Sequence, residues 1–241
     1  MKIKILFISI LFAIFLISCN TDLSPEEIIE KYREAKGCDK LENVQSLIAT
    51  EKIQFANNDS LIAYSRMIKS RPLKSRIEFF AGLSLIEIYN GKDGWYLDEF
   101  SDMKNPEKMS PEKLIDVRQK AHIDDPVGSY KKLGYSIELE ETEKINGREA
   151  YVIKLTTEKD NYAFYYIDKE NFMLLKHKFS GSGEFKDYTF EKVFSDYRKV
   201  EDILFAYSIE MYLNGVLQNK STVMELLLNK NVSDSLFEKI R

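Results

Sequence analysis

The sequence predicts a mostly β protein: one antiparallel sheet of about twelve strands that curls on itself, with two helices beside it. Three observations carry this. From Ser46 onward apolar side chains recur at every second position, in pairs such as Ile53 and Phe55, Ile62 and Tyr64, Ile77 and Phe79, and Ile86 and Ile88. Short turn signals separate these runs, which favours antiparallel neighbours because parallel strands need long crossovers. Only two segments change to helical spacing.

The chain begins with an export segment. Lys2 and Lys4 precede residues 5–17, which are apolar except for Ser9, and Ser18 and Cys19 follow. A spanning helix needs about 20 apolar residues, so this is a signal peptide and not a span. Leu16-Ile17-Ser18-Cys19 resembles the lipobox of bacterial lipoproteins, in which the peptide is cut before a cysteine that carries acyl chains. The resemblance implies a signal peptide over residues 1–18, lipidation of Cys19 with a tether over residues 19–23, and a single domain over residues 24–241. Acyl chains contribute roughly 0.8 kcal/mol per buried CH₂, so two or three hold a protein firmly to a bilayer. Four residues separate Cys19 from the capping residue of the first helix. They reach at most about 14 Å, which keeps the domain near the membrane.

Cleavage removes Lys2 and Lys4 from the 35 basic residues and none of the 39 acidic ones, leaving the mature chain acidic by about six charges. No basic patch for nucleic acid is present. Cys38 is then the remaining thiol, so an internal disulfide is not expected, and the 14 tyrosines and 15 phenylalanines must supply the core. His122 and His177 lack ligand-spaced neighbours, so no metal or other cofactor is expected. Gly181-Ser182-Gly183 lacks the spacing of a nucleophile elbow and no phosphate-cradling loop occurs, so enzyme chemistry has no basis. Glu138, Glu140, Glu141 and Glu143 read as a solvated strand face.

Ser24-Pro25-Glu26-Glu27 has the form of a capping box, with Pro25 at the first helical position. Ile28, Tyr32 and Ala35 continue an apolar stripe that Gly37 stops, giving a helix over residues 25–36. The next runs read as four strands broken at Asn57-Asn58-Asp59, Arg71-Pro72 and Ala81-Gly82, and the turn at residues 90–94 introduces a fifth at Trp95-Tyr96-Leu97. The alternation then fails over residues 98–132. Within that gap Ser110-Pro111 opens a short helix, and Leu114, Val117 and Ala121 give it a thin apolar stripe before Asp125-Pro126 ends it. Interruptions of this length in a compact β domain are commonly functional. Strands resume over residues 135–141, 148–156, 162–167, 172–179, 185–198, 205–213 and 216–228, and a sheet of this size has a concave face that something must fill.

The order of these pieces resembles the LolA/LolB-like outer-membrane lipoprotein carrier superfamily, in particular its lipobox-bearing members. The residues that carry it are Tyr32-Arg33-Glu34-Ala35-Lys36-Gly37 with Leu41 and Ser46-Leu47, Arg71-Pro72 with Arg76, and Asn90-Gly91-Lys92-Asp93-Gly94-Trp95. Tyr165-Tyr166-Ile167-Asp168, Phe194-Ser195-Asp196-Tyr197-Arg198 and Ser233-Asp234-Ser235-Leu236-Phe237 complete it. The resemblance implies a curved antiparallel sheet forming an incomplete barrel of about 11 strands, covered by helices and enclosing an apolar cavity for lipoprotein acyl chains. Residues 25–36 and 111–122 would be the covers. Cys38 stands where relatives commonly carry a second glycine. Leu83, in the hairpin after the third strand, is the candidate for the apolar residue that protrudes in the receiving type; an inward-folded turn residue is the alternative.

Alternation does not say which face of each strand points inward, so Ile53, Phe55, Ile62, Tyr64, Ile77, Phe79, Ile86, Ile88 and Trp95 are all cavity-lining candidates. An empty cavity of about 500 Å³ would cost on the order of 12 kcal/mol, comparable to the stability of a whole domain. A cover that collapses inward when no ligand is bound avoids that cost, and the stripe Leu114, Val117, Ala121 is thin enough to lift. The expected role is a monomeric, membrane-anchored periplasmic protein that accepts or transfers lipidated proteins at the periplasmic face of the outer membrane. Its partners would be acyl chains, the membrane through Cys19, and a soluble periplasmic carrier. The alternative is an envelope sensor or binding module of the same fold that recognises acyl chains or a protein partner without transferring cargo.

Overall fold

The computed structural model describes residues 23–157, 161–181 and 186–239. Two helices open the domain: α1 at Pro25–Lys36 and a short α2 at Cys38–Leu41. The strands follow as β1 Ser46–Phe55, β2 Asn58–Ser70, β3 Lys74–Phe80, β4 Ser84–Tyr89, β5 Gly94–Asp98 and β6 Glu107–Lys108. Helix α3, Pro111–Lys120, separates these from β7 Ser136–Ile145, β8 Arg148–Thr156, β9 Tyr162–Asp168, β10 Leu174–Ser180, β11 Thr189–Val200, β12 Ile203–Leu213 and β13 Val216–Leu228. A one-turn 3₁₀ helix at Asp234–Phe237 follows the last strand.

All thirteen strands form one sheet in the order β6-β5-β4-β3-β2-β1-β13-β12-β11-β10-β9-β8-β7. The β1–β13 pairing joins the two halves of the chain, and β6 and β7 stay apart as the edges of an unclosed barrel. One strand more is present than the alternation predicts. It is β6, two residues long and so below the length at which a period can be read.

Helix α1 has its expected ends. The Ser24 hydroxyl accepts from the Glu27 backbone N–H, and the Ser24 N–H donates to Glu27 Oε2 at 2.8 Å, closing the capping box. Gly37 ends the helix at φ 82°, a left-handed conformation that glycine adopts without steric cost. That one residue supplies the exit, and Cys38 begins α2, buried. Ile28, Ile29 and Tyr32 of α1 pack with Val127 and Tyr130 onto Ile153, Leu155, Tyr165 and Ile167 of β8 and β9. Helix α3 lies over the other half, where Val117, Ala121 and Leu114 pack with Met109, Tyr89, Tyr96 and Leu73. Both helices therefore sit on one face. On the opposite face Val232, Leu236 and Phe237 cover Ile48, Ile68, Ile86, Ile88 and Trp95.

A Cβ on Gly37 would lie 2.7 Å from the Asp202 carbonyl oxygen, a backbone atom that cannot rotate away. Gly37→Ala adds left-handed strain to that clash and is expected to lower stability by about 2–3 kcal/mol. Urea denaturation checks it: the midpoint should fall with an unchanged slope.

Candidate functional site

Directly opposed residues in a sheet share a face, so the register traces the covered face across the molecule. Tyr165, packed beneath α1, opposes His177; His177 opposes Lys192, Lys192 opposes Met211, Met211 opposes Asn219, and Asn219 opposes Phe55. From the other side, Tyr89 beneath α3 opposes Ser75, Ser75 opposes Lys69, and Lys69 opposes Leu47. Alternation along β1 to β3 adds Glu51 and Ile53, Ala63, Ser65 and Met67, and Ile77 and Phe79.

The packing along this face is uneven. Beneath α1 it is solid, with Ile153, Ile167 and Val127 fully buried, and beneath α3 Val117 is fully buried. Between the helices Leu47, Ala49, Ile203 and Leu228 are buried against Leu41, Val44 and Ile123, whereas toward the tips of the β1–β2, β3–β4, β10–β11 and β12–β13 hairpins the packing is looser. There Ile53, Phe55, Ile77, Phe79, Phe179, Phe190, Phe194 and Met211 are only half-buried, although they point to the covered side. These large, half-buried apolar side chains form a wall along the covered face.

Four of the nine lining candidates, Ile53, Phe55, Ile77 and Phe79, lie on this wall. Ile62, Tyr64, Ile86, Ile88 and Trp95 lie on the opposite face. Ile88 is fully buried there with Trp95 and Ile86 beneath the C-terminal 3₁₀ helix, while Ile62 and Tyr64 are exposed. The physical reason is that β2 and β4 carry apolar residues on both faces, and a period of two is indifferent to a one-residue choice of face. Leu83 is exposed at the β3–β4 turn. Sequence reasoning missed Phe179, Phe190 and Phe194, whose rings continue the wall. The Tyr165, His177, Phe179 and Phe190 rings stack in succession with centroids 4.4, 4.9 and 5.5 Å apart.

The covers are fastened at their shared loop. Asp124 accepts two bonds from the Arg71 guanidinium, at 2.7 and 3.0 Å, while Arg71 Nε donates to the Val44 carbonyl at 2.7 Å. Asp125 accepts from Lys36 Nζ, from Tyr32 Oη at 2.8 Å and from the Gly128 N–H at 2.9 Å. Burial pushes the Asp125 carboxyl up, but the Lys36 charge and these hydrogen bonds outweigh it and hold the group below its ordinary range. Helix α3 is also better anchored than its thin stripe suggests, because Tyr89 and Met109 meet Val117 and Ala121 from the sheet side.

Ionisable side chains interrupt the apolar wall, among them Glu51, Lys69, His177 and Lys192. Burial pushes Lys69 down to about 8 and, with the Lys192 charge, His177 down to about 4. Lys192 is lowered by burial and Glu51 is raised by it. Each of the four is half-buried. A separate crevice of about 540 Å³, lined by Asn43, Gln45, Ser46, Ser70, Arg71, Asn229, Lys230, Asn231 and Val232, is polar and opens at the opposite end of β1 and β2.

This sheet, with its helical covers on one face, defines the LolA/LolB-like fold. The structure is similar to a domain from Vibrio parahaemolyticus named for outer membrane lipoprotein sorting, with TM-score 0.58 and 14% identity over 88% of this chain and 97% of that one. It is equally similar to a LolA superfamily protein from Nitrosomonas europaea, with TM-score 0.58 and 15% identity over 90% and 99% of the two chains. A DUF1329 family protein from Desulfovibrio piger matches with TM-score 0.57 and 14% identity over 90% and 98%. Residues 104–240, more than half of the chain, match a family model described as "Uncharacterized protein", and the chain belongs to that family. No curated protein matches the sequence.

An unfolded chain protonates His177 near pH 6.5, whereas the folded protein does so near 4. The unfolded state therefore binds the extra proton between those values, and stability falls as pH drops from about 6.5 to about 4. Between pH 7 and pH 5 the loss is about 2 kcal/mol. Urea midpoints at the two pH values should draw together in His177→Phe.

Proposed function

We propose that the mature chain is a lipid-anchored protein of the bacterial envelope whose hollow receives the acyl chains of lipoproteins or lipids and passes them on at the periplasmic face of the outer membrane. The half-buried apolar wall on the covered face, toward the hairpin tips, is the observation that carries this reading. A fully withdrawn chain of about 16 carbons would gain about 12 kcal/mol, enough to draw it from water and similar to what a bilayer offers. Exchange with a membrane is then close to balanced, as transfer requires.

Two features support the reading further. The neighbouring fold includes a domain named for lipoprotein sorting. Exposed apolar side chains also gather where the hollow meets solvent: Leu61, Phe80, Leu83, Phe100 and Val216 lie at the hairpin tips of one end of the sheet. That end suits contact with a donor carrier or a bilayer. Anchoring rests on Cys19, which lies outside the described residues together with the whole signal peptide and residues 20–22 of the tether.

Native mass spectrometry of chain exported with Cys19→Ala tests the proposal. Bound acyl lipid is expected, and a lipid-free protein that takes up none on mixing overturns it. Phe79→Trp in a Trp95→Phe background gives a second readout. Brominated fatty acid should quench emission from position 79 by about half or more, while native Trp95, on the far face, should respond little. Equal responses at the two positions would place the chain somewhere other than the hollow.

A further inference from the structure

The apolar wall carries an unmatched positive charge. Lys192 stands in the row Phe190, Lys192, Phe194 of β11, and Lys69 follows Ala63, Ser65 and Met67 in β2. Both face the covered side, and burial together with the Lys192 charge lowers Lys69. Lys69 Nζ donates to the His122 carbonyl at 2.6 Å, a neutral acceptor. Lys192 feels Glu51 as a favourable charge and Lys120 of α3 as an unfavourable one. Glu51 is also near the Ser221 hydroxyl.

The other acidic groups near this face are engaged elsewhere. Asp125 holds Lys36, Glu87 pairs with Lys113 at 3.3 Å, and Asp116 pairs with Lys120 at 2.6 Å. Glu51 thus acts on Lys192, while Lys69 has the neutral His122 carbonyl. Directly across the strand pair from Lys192, His177 Nε2 is buried with no hydrogen-bond partner among the described residues. Buried charge and buried polar nitrogen are both costly when uncompensated, so an anion with oxygen acceptors would satisfy both at once. The stacked rings of Phe179 and Phe190 run from this spot toward the hairpin tips.

We infer that the hollow takes an acyl amphiphile with an acidic head, a carboxylate or a phosphate, seated among Lys192, Lys69 and His177 with its chain along Phe179 and Phe190 toward the open end. The inference rests on the acyl-binding reading above and narrows its cargo. A lipid-modified cysteine has no such head, so the acidic ligand would be a free lipid that shares or regulates the hollow.

Three probes of equal chain length test it on the full chain exported with Cys19→Ala: palmitate, palmitoyl lysophosphatidic acid and monopalmitoylglycerol. At least one acidic probe is expected to bind about tenfold or more tightly than the neutral one, the worth of one charge-assisted contact. Whichever acidic probe is preferred identifies carboxylate or phosphate as the head. Lys192→Met should bring the three affinities together, and Glu51→Gln should widen the preference; the wild-type comparison stands even where a variant fails to fold. Equal wild-type affinities would overturn the acidic-head inference and leave acyl binding intact, whereas no binding of any probe would overturn both.

Discussion

The inner face of this sheet is much wider than the helices that cover it. Thirteen strands spaced about 4.8 Å apart make an arc of roughly 60 Å, and each covering helix is about 10 Å across. Curvature shortens the inner arc without removing the mismatch. Edges β6 and β7 do not meet, so the barrel cannot fill its own interior by closure as small closed barrels do. The covered face packs solidly beneath α1, α2 and α3 and is more loosely filled toward the hairpin tips beyond them. Every functional property argued above descends from that shortfall of cover.

Much of the architecture was legible because it depends on local chemistry. Ser24, Glu27 and Gly37 fix α1 through hydrogen bonds and one backbone conformation within a short stretch of chain, and Ser110 with Pro111 does the same for the start of α3. Strand existence was legible from alternation. Strand facing was not, because facing is decided by which side the covers choose. Ile86, Ile88 and Trp95 are as apolar as Ile77 and Phe79, and the packing of the C-terminal Phe237 and Leu236 against the first set is what separates them.

The charged residues in the wall were equally present in the sequence. Lys192 between Phe190 and Phe194, and Glu51 before Ile53 and Phe55, are breaks in an apolar row that a search for metal ligands or catalytic pairs passes over. His177 was noticed only as a poor zinc ligand, although its place in a stack with Tyr165 and Phe179 gives it a different setting. A polar residue inside an otherwise apolar period of two is costly where the face is buried, so its presence signals either a partner inside or space for one. That signal needs the register to become specific.

Asp124 and Asp125 are consecutive, yet one holds Arg71 at the β2–β3 turn and the other holds Lys36 and Tyr32 of the first helix. A single peptide unit is thus a buckle between two straps. Displacing that peptide would disturb both contacts, so the first helix and the β2–β3 turn share one point of attachment.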